Sequence, residues 1–174
     1  MRRMSFTLTG ATFSPCRRYR YALWREWDAT KPTVVFCGLN PSTADETQDD
    51  PTIRRELGFA RDWGFGRYVK VNAYGYRSTD PKGLWAVDDP RGEDNFLAIR
   101  VACFDAIIKR EGGLFVACWG NNIRERDAWE LRRMLKTEGI RVHALKLTKG
   151  GFPAHPLYLL KTLTPRLWEG GALQ

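Results

Sequence analysis

Apolar and polar positions along the chain fall into two alternating kinds of pattern, short apolar runs and longer stretches of helical period. Val34-Val35-Phe36-Cys37 is an unbroken apolar run that leads directly into Gly38-Leu39-Asn40-Pro41-Ser42. A run of this kind, rich in β-branched residues and bounded by turn formers, predicts a buried strand ending in a tight polar loop. The runs from Tyr68 to Tyr74, Leu114 to Gly120 and Ile140 to Leu145 predict three further core strands. Between them, Asp50-Pro51-Thr52 has the signature of a helix start, an acidic N-cap followed by Pro at the first helical position. Ile53, Leu57, Phe59, Ala60 and Trp63 then form its apolar face, and Gly64 and Gly66 stop it. Asp80-Pro81 predicts another helical turn. Asn95 to Ile108 predicts a buried helix ended by Gly112-Gly113, and Arg124 to Lys136 an amphipathic one. At the start, Phe6-Thr7-Leu8-Thr9 and the alternation around Tyr19, Tyr21 and Leu23 predict a hairpin turned at Ser14-Pro15. Strands alternating with helices argue for an α/β fold: three layers, α/β/α, around a central, mainly parallel four-stranded sheet, plus the short N-terminal β-hairpin.

Composition narrows this picture. A chain of 174 residues that is 43% hydrophobic is expected to form a single domain over residues 1–174. No apolar run approaches the roughly 18 residues needed to cross a bilayer, and Met1-Arg2-Arg3-Met4 lacks the apolar stretch of a secretory signal, so a cytoplasmic protein without membrane contact is expected. Cys16, Cys37, Cys103 and Cys118 are widely spaced with no Cys-x-x-Cys pair, which predicts buried free thiols and neither a metal site nor any other cofactor. The net charge of +8 favours a polyanionic partner, DNA or a nucleotide. The arginines around Tyr19 read as a solvated face, and a monomer is expected.

Candidate chemistry gathers at strand ends. In open α/β sheets, ligands collect beyond the carboxyl ends of the strands. Gly38 lets backbone approach a ligand, Pro41 fixes the turn, and Asn40 stands between them. Asn72 closes the second strand beside Tyr74, and Trp119-Gly120 closes the third. An Asn side chain presents a donor and an acceptor side by side, which suits the edge of a nucleobase, and aromatic faces suit stacking on it. The alternative is that both Asn residues serve only their own loops. The acidic cluster Asp45, Glu46, Asp49 and Asp50 offers a place for a water or a metal and a catalytic acid, or merely caps and solvates. His155, fixed before Pro156 and after Gly150-Gly151, is a candidate acid, base or donor, or a surface residue.

Four stretches together resemble the uncharacterised family DUF1643 over nearly the whole chain: Phe13 to Tyr21, Gly38 to Asp45, Asp50 to Arg55 and Leu147 to Tyr158. More distantly, the order strand-Gly-x-Asn-Pro, strand-Asn, strand-Trp-Gly and loop-His-Pro is similar to the uracil-DNA glycosylase superfamily. That resemblance implies a glycosylase-like fold and a DNA glycosylase-like activity on an extruded, modified or unmodified pyrimidine. It implies that Asn40 orients the attacking water, that Asn72 reads the pyrimidine edge and that His155 stabilises the departing base. Gly38, Leu39, Pro41, Ser42, Tyr74, Trp119 and Gly120 would complete the substrate site. Leu157 or Tyr158 would act as the wedge in the duplex, and Lys149, Gly150, Gly151 and Arg77 would contact the nucleic acid. The loop after Asn40 is Pro-Ser-Thr-Ala-Asp rather than Asp-Pro-Tyr, and His155-Pro156 continues as Leu-Tyr-Leu rather than Ser-Pro-Leu-Ser. These departures point away from uracil itself and make Asp45 or Asp49 the candidate base. The other readings of the same pocket are a non-catalytic module that binds a nucleotide or modified base, and an enzyme that alters a base substituent.

Overall fold

The computed structural model describes residues 5–109 and 111–171. The Met1–Met4 segment, on which the expectation of no secretory signal falls, lies outside them. The strands are β1 (Leu8–Phe13), β2 (Arg20–Glu26), β3 (Thr33–Gly38), β4 (Arg67–Asn72), β5 (Leu114–Ala117), β6 (Val142–Ala144) and β7 (Arg166–Leu167). The helices are α1 (Pro51–Asp62), α2 (Asn95–Cys103), which runs on as a π-helical turn over Phe104–Ile108, and α3 (Glu125–Thr137), with 3₁₀ turns at Pro81–Ala86 and Pro156–Tyr158. Among the described residues no helix is long and apolar enough to cross a membrane.

The seven strands form one mixed sheet in the order β1-β2-β4-β3-β5-β6-β7. β4, β3, β5 and β6 run parallel to one another, whereas β1 with β2, β2 with β4, and β6 with β7 are antiparallel. The sheet is therefore larger and more mixed than the four-stranded, mainly parallel one expected. The N-terminal hairpin is not an appendage, because β2 pairs along β4 and extends the sheet. The two-residue β7 closes the other edge. It is too short to leave a periodic signal.

Alternation along β3 feeds a core on each face. Val34 and Phe36 pack with Leu57, Phe59 and Tyr68 under α1, while Val35 and Cys37 pack with Val71, Phe115, Ile99 and Leu131 under α2 and α3. α1 begins where its sequence predicts: Asp50 Oδ1 accepts the Ile53 N–H at 2.9 Å, and Pro51 occupies the first turn. α2 departs from the reading as a buried helix. It buries Ile99, Ala102 and Cys103 but leaves Leu97, Val101, Phe104 and Ile108 exposed, so its apolar residues do not all face the core.

An irregularity in β2 decides where its arginines point. The β1–β2 register slips between Thr12, opposite Ala22, and Phe13, opposite Arg20, so that Tyr21 is bulged. Tyr21, Ala22 and Trp24 consequently share the α2 face, and Arg20 turns to the α1 face beside Leu23 and Arg25. A bulge re-aims a side chain in this way. The expectation of a solvated arginine face around Tyr19 holds for Arg17 and Arg18, which are exposed, and fails for Arg20, which is 1% exposed, as is Arg25 further along the strand.

Of the four cysteines, Cys37, Cys103 and Cys118 are buried free thiols, whereas Cys16 is exposed, contrary to the expectation of burial. A hydrogen bond with Ser14, and then the backbone and side chain of Arg18, lower its pKa to about 7. Alkylation at pH 7 is expected to label Cys16 alone in the native protein, with Cys37, Cys103 and Cys118 reacting only on unfolding. Peptide mapping by mass spectrometry checks this, and native labelling at any of those three would contradict it.

Candidate functional site

The carboxyl ends of β3, β4 and β5 open into one polar cavity of about 580 Å³. This is within the range of small-molecule sites and large enough for a ligand of nucleotide size. Its wall contains Gly38 at the end of β3 with Leu39, Asn40 and Ser42 following it, Asn72 at the end of β4, Trp119 and Gly120 after β5, and His155 from the last long loop. Segments separated by more than a hundred residues meet there because parallel strands present their ends on one side of a sheet. The Gly120 N–H donates to Pro153 O at 2.8 Å, and Arg55 on α1 donates to Leu159 O, so the His155 loop is pinned to β5 on one side and to α1 on the other.

Asn72 is 1% exposed, yet neither its Nδ2 nor its Oδ1 has a hydrogen-bond partner. A buried amide normally satisfies both ends, and leaving one unmade costs roughly 1–3 kcal/mol. Here both ends belong to a side chain of the cavity wall. Gly38 preserves that space, since a Cβ there would stand 2.9 Å from Asn72 Oδ1 and 2.7 Å from Lys70 Nζ. Asn40 is oriented differently. Its Nδ2 donates to Pro41 O at 3.0 Å and to Ser78 O at 2.8 Å. Two carbonyl partners fix the amide nitrogen and leave Oδ1 as a free acceptor.

His155 Nδ1 accepts the Leu157 N–H in a long hydrogen bond of 3.4 Å, which places the proton of the neutral ring on Nε2. Desolvation, with the Lys70 ammonium next in weight, holds its pKa below the ordinary imidazole value. At neutral pH His155 is thus an uncharged Nε2–H donor at the cavity rim.

The floor is a buried ionic cluster that sequence reasoning missed. Lys70 Nζ lies 2.7 Å from Glu56 Oε1, Tyr68 donates its hydroxyl to Glu56 Oε2, and Cys118 Sγ is 3.5 Å from Glu56 Oε1. Glu56 is fully buried on α1. Burial opposes the Lys70 charge, but the Glu56 carboxylate bonded to it outweighs that effect and raises its pKa. Burial likewise drives the Tyr68 hydroxyl and the Cys118 thiol well above their usual values, so both remain neutral. Arg20, Asp50, Thr52, Ser78, Thr79 and Asn121 also line the wall. Signals for these were weak: α1 has an apolar period that hides Glu56, and Lys70 is a single charge inside an apolar strand.

Other expected site residues stand elsewhere. Asp45, a candidate base, accepts the backbone N–H groups of Thr47 at 2.9 Å and Gln48 at 2.8 Å, bonds that lower its pKa and make it a turn residue outside the cavity wall. Asp49 bonds Arg25 at 2.9 Å. The Tyr74 hydroxyl donates to Asp127 at 2.6 Å and packs toward α3 rather than into the cavity. Arg77 donates to Ser42 O at 3.4 Å and stacks on Phe13. Pro41 accepts the Asn40 bond from outside the wall, and Leu157 and the largely exposed Tyr158 form the 3₁₀ turn beyond His155. Lys149, Gly150 and Gly151 form an exposed turn in which Gly150 approaches Asn121, a wall residue.

Two outcomes test this geometry. Lys70→Met, which strands the Glu56 charge, is expected to lower the unfolding free energy by about 3–5 kcal/mol in urea titration, and Lys70→Met with Glu56→Leu to lose less than the sum of the single changes. NMR titration is expected to show the Nε2–H tautomer of His155 and a folded-state pKa below about 6.5. Because the folded value is the lower one, the stability from the neutral ring is complete above the unfolded pKa and is lost as pH falls through the folded one.

A family model described as a protein of unknown function (DUF1643) matches residues 20–157. No curated protein and no solved structure matches the chain, so the likeness to the uracil-DNA glycosylase superfamily has no counterpart in these comparisons.

Proposed function

The chain belongs to the DUF1643 family, and from its own cavity we propose that it is a DNA glycosylase-like hydrolase acting on an extruded pyrimidine, modified pyrimidines included. The observation that carries this reading is Asn72, a buried amide with a donor and an acceptor both unbonded in the cavity that also holds Asn40 and His155. An amide so placed fits the paired acceptor and donor on a pyrimidine edge.

In this mechanism Asn72 holds the base edge, Asn40 Oδ1 accepts a hydrogen bond from water and aims its lone pair at the sugar C1′, and His155 Nε2–H donates to the base carbonyl oxygen. The bond from C1′ to the base nitrogen breaks with its electron pair going to the base, and the water oxygen bonds C1′. The water's proton passes to solvent or to the departing base, leaving a free base and an abasic sugar. No wall carboxylate is free to act as a strong base: Glu56 is paired with Lys70, and Asp50 caps α1. Catalysis then rests on positioning and on stabilising the charge that develops on the base through the His155 donor. Base extrusion costs a few kcal/mol, which pocket contacts would offset.

The same absence of a free carboxylate favours, as a second reading, a non-catalytic module that binds a modified base. Incubation with oligonucleotides carrying uracil, mismatched or hypermodified pyrimidines, followed by alkaline cleavage and mass analysis, separates the two. Release of one base by the wild type is expected, slowed about 100-fold in Asn40→Ala through lost positioning and about 100- to 1,000-fold in His155→Ala through loss of an oxyanion donor. Intact oligonucleotides throughout, with binding retained, would replace the hydrolase by the binding module.

A further inference from the structure

Arg20 stands out among the charges around the cavity. It is 1% exposed and lines the wall because the bulge at Tyr21 turns it there. Its one side-chain hydrogen bond among the described residues runs from Nη1 to Ala44 O at 2.6 Å, and its Nε is buried with no partner. The other cation of the floor, Lys70, has Glu56, whereas Arg20 forms no salt bridge among the described residues. The nearby wall carboxylate, Asp50, commits Oδ1 to the N-terminus of α1, where the helix dipole favours negative charge. Desolvation lowers the Arg20 pKa, which expresses the cost of holding this charge out of water. A guanidinium buried without a carboxylate is costly unless an anion completes it.

We propose that Arg20 forms an oxyanion subsite within the cavity, so that the ligand carries a carboxylate or phosphate beside the pyrimidine edge that Asn72 reads. The planar guanidinium, with Nε–H unoccupied, is the geometry that accepts such a group through parallel hydrogen bonds. The inference rests on the reading of the cavity as a pyrimidine site and adds the class of ligand to it. The oxyanion has two chemical sources, a carboxylate on the pyrimidine ring or the phosphate of a nucleotide.

Calorimetric titration of the full chain with 2′-deoxyuridine, 2′-deoxyuridine 5′-monophosphate, 5-carboxy-2′-deoxyuridine and inorganic phosphate tests it. At least one anionic pyrimidine is expected to bind about 10- to 100-fold more tightly than deoxyuridine, the strength of a hydrogen bond to a charged group. Which one does so names the source. Arg20→Gln removes the preference for the anionic over the neutral pyrimidine, and Arg20→Lys keeps only part of it. Independently of any variant, the Arg20 Nε–H resonance shifts on adding the anionic pyrimidine and not on adding deoxyuridine. Equal affinity for charged and neutral probes, a preference that survives in Arg20→Gln, or an unmoved Arg20 resonance would overturn the subsite. Base release from oligonucleotides by a protein without the preference would sink the subsite alone. A preference with no release from any oligonucleotide would sink the hydrolase and leave the subsite standing.

Discussion

The contact on which the cavity depends is the ion pair between Glu56 and Lys70. It joins α1 to β4 through groups that are both out of water, and Tyr68 on the same strand face and Cys118 just beyond β5 add their hydrogens or soft contacts to the same carboxylate. A buried carboxylate met from two directions leaves α1 little freedom to shift, because any displacement strands a charge. The pair also divides the α1 face of β4. Below it Tyr68 is packed and bonded; above it Asn72, the next residue on that face, is left without a protein partner.

Much of the frame was legible in the residues. The β3 run, the Asp50-Pro51 helix start and the amphipathic α3 each carry a local signal that tertiary contacts reinforce. What was not legible depends on pairing across the chain. That β2 extends the sheet along β4 follows from antiparallel register, which neither strand declares alone. The two residues of β7 are below the length at which alternation can be seen. α2 shows why an apolar stretch is not automatically buried: Leu97 and Val101 line an open groove beside Tyr21 and Trp24 and stay exposed.

The candidate site divides in the same way. Gly38, Asn40, Asn72, Trp119, Gly120 and His155 were legible because most of them end or follow a strand, and parallel strands bring such ends together. Asp45 misled because an acidic residue looks the same in sequence whether it is free or held by its own turn. Arg20 misled in the opposite direction. Strict alternation places it by parity, and a single bulged residue reverses that parity, sending a cation from the surface reading into the interior. Glu56 and Lys70 could be recognised only as a pair, and they are fourteen residues apart on different elements.

The hold on Asn40 carries a consequence for how such a cavity can diversify. Its amide nitrogen is gripped by the carbonyls of Pro41 and Ser78. An aspartate in its place would turn a carboxylate oxygen toward two carbonyl oxygens, where like partial charges repel. The residue at this position and the loop bearing Ser78 therefore behave as one heritable unit. An acid at this position is tolerated only with a matching change in a segment almost forty residues away. Converting this pocket from an amide-bearing to an acid-bearing one is thus a two-segment problem, with the loop as the part that has to yield.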